Sequence, residues 1–105
     1  MNKLSYENFF INLANNTKLS IILALKEKPL NVTQISNKIN VEQSAVSHSL
    51  KDLTACHVLD VKKIGKERLY SLNKTTIIPM LKLVEKHVSS NCSHGCNKNC
   101  GGCGK

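Results

Sequence analysis

The sequence predicts a mainly α (α+β) domain, with five helices, a two-stranded β-hairpin before the last of them, and an irregular Cys-rich tail. Three observations predict it. Apolar residues from Leu4 to about Cys56 recur at helical rather than alternating spacing. Two short runs rich in β-branched, aromatic and basic residues then flank Gly65, as the arms of a hairpin do. After Ser89 the aliphatic residues stop altogether, so that stretch cannot build a core. The expected organisation is one folded domain over 1–89 and a tail over 90–105.

The first helix is expected from Leu4 to Asn15, with Leu4, Phe9, Phe10, Leu13 and Ala14 as its apolar positions. Thr17 is the expected N-cap of a second helix through Lys26, whose broad apolar face is Ile21, Ile22, Leu23 and Leu25; Pro29 closes it. Thr33 is expected to cap a short third helix, Gln34 to Ile39, which ends in a turn at Asn40. A fourth helix then runs from after Val41 to about Cys56. Its stripe is Ala45, Val46, Leu50 and Leu53, and Gln43, Ser44, Ser47, His48 and Lys51 face elsewhere. Strands are expected at His57–Lys63 and Glu67–Leu72, joined at Ile64-Gly65-Lys66. The fifth helix starts at Ile77 behind Thr76, with Pro79 harmless in its first turn and Ile77, Met80, Leu81, Val84 and Val88 forming one seam.

Composition narrows the function. A chain of 105 residues holds one modest core and no second catalytic domain. No nucleophile–base pairing or open metal-site pattern appears, so an enzyme is not expected. Fifteen Lys and Arg against seven Asp and Glu give a net charge of +8, which suits a polyanionic partner. The N-terminus shows no secretory signal, and the longest apolar stretch, Ile21 to Leu25, is far too short for a bilayer. A cytoplasmic protein without a membrane role is the expectation. In a reducing compartment five Cys point to metal or redox chemistry rather than to a disulfide framework.

The order of elements is itself informative. A short helix, a turn, a longer helix and a basic hairpin make a helix-turn-helix followed by a wing. The second helix of such a pair enters the major groove with the polar side chains of its first turns. Gln43, Ser44, Ser47, His48 and Lys51 are therefore candidate DNA contacts, and Lys62, Lys63, Lys66 and Arg68 would neutralise phosphates from the wing. The partner expected is a double-stranded DNA operator. Taken singly, each of these faces could equally be a solvated surface.

The runs Val32-Thr33-Gln34-Ile35, Ser44-Ala45-Val46-Ser47-His48-Ser49-Leu50-Lys51-Asp52-Leu53 and Gly65-Lys66-Glu67-Arg68-Leu69-Tyr70-Ser71-Leu72 resemble the ArsR/SmtB family of winged-helix metal-responsive repressors. The resemblance spans about residues 5 to 88. It implies a homodimer built mainly from the first and last helices, and an operator released when metal binds. On that implication Phe9, Phe10, Leu13, Leu81, Val84 and Val88 supply dimer contacts; by spacing alone they read better as intramolecular core.

Two metal sites common in the family are missing. The third helix is entered by Leu30-Asn31-Val32-Thr33-Gln34, without a thiol. Along the last helix only Glu85 and His87 are available, and two positions apart they point about 200° from each other. The tail offers Cys92, Cys96, Cys100 and Cys103, a C-x3-C-x3-C-x2-C spacing that can supply a trigonal or tetrahedral thiolate site, with His94 as a further candidate ligand. Gly101 and Gly102 permit the tight turn that brings Cys100 and Cys103 to one ion. Cys56 matches one thiolate position of the family's cadmium- and lead-responsive branch, but the position four residues earlier is Asp52. Cys56 is thus either a small buried hydrophobe or part of a helix–tail site. The ligand expected is Zn, Cd, Pb, Cu(I) or arsenite, with an iron–sulfur cluster also compatible with thiolates. A redox-responsive repressor working through tail disulfides, and a metal-buffering protein, are the alternatives.

Overall fold

The structure is a computed structural model that describes residues 1–92, with side chains through Ser90. By its contacts the chain forms two compact units, Met1–Asn73 and a second that begins at Lys74. Among the described residues no helix is long and apolar enough to cross a membrane.

The first unit runs α1 (Lys3–Ala14), α2 (Asn16–Ala24), α3 (Val32–Ile39), α4 (Gln43–Ala55), β1 (Leu59–Ile64) and β2 (Glu67–Leu72). The α2, α3 and α4 helices pack on one another, α1 packs on α2, and the antiparallel hairpin leans on α4 and α3. Ile21, Ile22, Ile35, Val46, Leu50, Leu53, Val58 and Leu59 are fully buried and make the core. Burial of each such side chain stabilises by about 1.5–3 kcal/mol. On α2 and α4 the expected apolar stripes hold with one exchange each. On α2 Leu23 is exposed and Ala24 is buried; on α4 Ala45 is exposed and Ser49 is buried.

The starts of α2 and α3 differ from the sequence expectation because Asn competes better than Thr for the N-cap. Asn15, not Thr17, caps α2 by accepting from the Lys18 N–H. Asn31, not Thr33, caps α3 in a full capping box: its Oδ1 accepts from the Gln34 N–H at 2.8 Å, and the Gln34 Oε1 accepts from the Asn31 N–H at 2.9 Å. The α3–α4 turn closes through Asn40 in the left-handed region, φ 57°, and through the Ser36 hydroxyl donating to the Val41 carbonyl.

β1 begins at Leu59, two residues later than expected, because His57 ends α4 instead. His57 has φ 60°, its N–H donates to the Thr54 carbonyl, and the Val58 N–H donates to the Leu53 carbonyl. That is a Schellman ending with a non-glycine residue in the left-handed position. The His57 side chain is exposed, so little is lost by removing it. H57G should therefore raise stability by about 0.5–1 kcal/mol. The check is a higher urea midpoint at unchanged m-value; an unchanged midpoint would show that the left-handed turn is unstrained. At the other end of the hairpin the loop is tighter than expected. Only Gly65 and Lys66 separate the strands, and Gly65 takes φ 62°.

α1 has no buried residue, and Leu4, Phe10 and Ile11 are 61%, 58% and 65% exposed, while Phe9 and Leu13 are half-buried. In the second unit α5 (Ile77–Cys92) starts where expected and continues past Ser89 to Cys92. Ile77 is buried, Met80 and Leu81 are half-buried, and Val84 and Val88 are exposed.

Candidate nucleic-acid interface

Three elements of the first unit surround an open cleft of about 1000 Å³. The start of α3 contributes Asn31, Val32 and Thr33, α4 contributes Ser47, Lys51 and Thr54, and the hairpin contributes Val61, Lys63, Gly65, Lys66, Glu67, Arg68 and Tyr70. The charge of this lining is one-sided: Lys51, Lys63, Lys66 and Arg68 stand against the single carboxylate of Glu67. Such a basic groove between a helix and a hairpin suits a phosphate backbone.

The strand register explains which hairpin cations meet there. Val61 pairs with Tyr70 and Lys63 with Arg68, and residues two apart share a face of a strand. Val61, Lys63, Arg68 and Tyr70 therefore form one face, and all four line the cleft. Lys62 pairs with Leu69 on the opposite face and is not among the lining residues. Two like charges directly opposed across strands destabilise a hairpin by about 0.2–1 kcal/mol. Lys63 and Arg68 carry that cost in the free protein, and a polyanion placed against them relieves it.

On α4 the expected contact residues divide. Ser47 and Lys51 line the cleft. Gln43, Ser44 and His48 are exposed outside it, and Gln43 Nε2 donates to the Thr33 hydroxyl at 3.4 Å, tying the start of α4 to the start of α3. Sequence reasoning missed Asn31 and Thr33. The signal was present: the first helix of a helix-turn-helix crosses the backbone, and helix N-termini with free N–H groups favour phosphate.

A second polar group sits behind α4. Lys18 Nζ lies 3.3 Å from Asp52 Oδ2 and donates to Asn12 Oδ1 at 2.8 Å, and Asn12 Nδ2 donates to Cys56 Sγ at 3.4 Å. His48 Nε2 is 3.8 Å from the same Asp52 oxygen, too far for a hydrogen bond. Cys56 is exposed, which corrects its reading as a buried hydrophobe. Asp52, four residues before Cys56, thus already faces the Lys18 cation. Among the described residues no three His, Cys, Asp or Glu side chains come together as a metal site. Cys96, Cys100, Cys103 and His94, and the side chain of Cys92, lie outside the described residues.

Comparison with known proteins gives a consistent set of likenesses. Residues 15–60 match the family model described as "Bacterial regulatory protein, arsR family". The chain is 36% identical over 69 residues to the HTH-type transcriptional regulator NmtR of Mycobacterium tuberculosis, covering 66% of this chain and 58% of that protein. It is 29% identical over 80 residues to the transcriptional repressor SmtB homolog of Synechocystis, covering 76% of this chain and 61% of the relative. The transcriptional activator HlyU of Vibrio cholerae is 27% identical over 74 residues, covering 70% of this chain and 68% of its own. The chain thus spans about three-fifths of the length of the first two. Among solved structures, that of apo-NmtR superposes with a TM-score of 0.70 at 30% identity, covering 83% of this chain and 73% of that one.

Proposed function

We infer that this chain, which belongs to the arsR family of bacterial regulatory proteins, is a cytoplasmic, homodimeric DNA-binding repressor that leaves its operator when its C-terminal cysteines bind a thiophilic ion. The observation that carries the DNA-binding part is the cleft itself. Ser47 and Lys51 of α4 and Lys63, Lys66 and Arg68 of the hairpin line one groove with a strong cationic excess. In this arrangement α4 reads base edges in the major groove with Ser44, Ser47 and His48, while the hairpin and the start of α3 hold the flanking phosphates.

The dimer is supported by what α1 and α5 each leave uncovered: Leu4, Phe10 and Ile11 on one, Leu83, Val84 and Val88 on the other. Large apolar side chains on that scale are the surface offered to a second copy. Effector binding is supported by the four tail thiols, whose number meets the requirement of a thiolate site. Selection of duplexes from a random pool, followed by footprinting, tests the reading. Enrichment of an inverted repeat protected as two half-sites is expected. A pool that stays random after repeated selection overturns it, and leaves metal buffering by the tail as the better account.

A further inference from the structure

The single carboxylate in the cationic cleft has no role in phosphate binding, since a negative charge beside the backbone opposes it. Its contacts give it another one. Glu67 Oε1 accepts from Asn31 Nδ2 at 2.8 Å, across 36 residues of sequence. Asn31 cannot turn its amide the other way. Its Oδ1 is needed by the Gln34 N–H in the capping box, so the donor end is the one that meets the carboxylate. One residue earlier, Leu30 and Tyr70 exchange both backbone hydrogen bonds, the Leu30 N–H donating at 3.1 Å and the Tyr70 N–H at 2.9 Å. The hairpin is therefore joined to the front of α3 at two successive residues, once by backbone and once by side chain.

We propose that Glu67 is a positioning residue: through Asn31 it fixes the hairpin against the helix-turn-helix so that Lys63, Lys66 and Arg68 face the same duplex as α4. The backbone bridge at Leu30 is a single pair and leaves the outer part of the hairpin free to swing about it. The Glu67 contact lies three residues further toward the tip and removes that freedom before DNA arrives. Preorganisation of this kind raises affinity without any new contact to the ligand. This inference rests on the DNA-binding reading for its consequence, but not for the contact itself.

The test compares E67Q, E67A, N31D and the N31D/E67Q double variant. Asp caps a helix as well as Asn does, so N31D keeps α3 while setting two carboxylates against each other. In the double variant the amide and the carboxylate have changed places, with the net charge of the parent restored. Without DNA, amide exchange at Tyr70 should quicken about three- to tenfold in N31D and E67A and return to the parent rate in the double variant. With the selected duplex, N31D and E67A should bind about three- to tenfold more weakly, while E67Q, whose oxygen still accepts from Asn31, holds or gains affinity. A purely electrostatic role predicts the reverse for E67A, which loses a negative charge: E67A and E67Q both tighter and equal would overturn the proposal. Parent-like exchange in N31D and E67A, or no recovery in the double variant, would overturn it as well. A parent chain that binds no duplex overturns the DNA reading and, with it, the hairpin's purpose, whereas the exchange measurement still reports the contact.

Discussion

Replacing Lys63 and Arg68 together with Ala should flatten the salt dependence of operator binding more than any other pair of surface changes. Each phosphate neutralised on a duplex contributes about −0.9 to the slope of log K against log salt. A dimer presents the pair twice, so the double replacement should make the slope shallower by about 3 to 4. At low salt the affinity falls steeply, while the ranking of operator sequences stays, because phosphate contacts position the protein and carry little sequence information. The fold should not suffer. Lys63 and Arg68 face each other across the strands, and removing two opposed like charges leaves the hairpin as stable or slightly more so. K62A is the internal control: Lys62 lies on the other face of β1, so its removal should change the slope much less. An unchanged slope in the double variant, or an equal change in K62A, would show that the duplex does not lie in this cleft.

The distinction between Lys62 and Lys63 was not legible in the sequence, where both read as wing cations. It depends on strand register, and the two-residue turn at Gly65-Lys66 sets that register. By contrast, the elements and much of the core were legible from periodicity alone, because Ile21, Ile22, Leu25, Val46, Leu50 and Leu53 recur at helical spacing and are all buried. Helix starts were read less well. Thr17 and Thr33 are acceptable caps, but Asn15 and Asn31 lie earlier and offer better acceptors. His57 is the instructive miss: β-propensity extends the strand back to it, yet the Schellman ending of α4 claims it first. Asp52 and Cys56 were legible as a spaced pair, but the partner that occupies Asp52, Lys18, comes from α2, and only the fold brings them together.

Replacing Cys92, Cys96, Cys100 and Cys103 with Ser should leave operator binding intact and abolish release by Cd(II). Among the described residues the cleft is lined between Asn31 and Tyr70, and none of those lining residues is a cysteine. What remains for a thiophilic ion is Cys56, whose sulfur accepts from Asn12, with Asp52 facing Lys18. One thiol cannot complete a three- or four-sulfur site, so the Cd(II) charge-transfer absorption of thiolate ligation should disappear with the four tail cysteines. C56S in the otherwise intact chain asks a separate question. If the tail alone holds the ion, C56S keeps both the absorption and the release; if the site is shared, absorption persists in weaker form while release is lost, since Cys56 is the thiol at the C-terminal end of α4. Diamide treatment of the reduced parent separates ion sensing from oxidation: release by Cd(II) under reducing conditions, with none by diamide alone, supports the ion. Full-amplitude release by Cd(II) in the quadruple variant would place the effector site elsewhere on the chain.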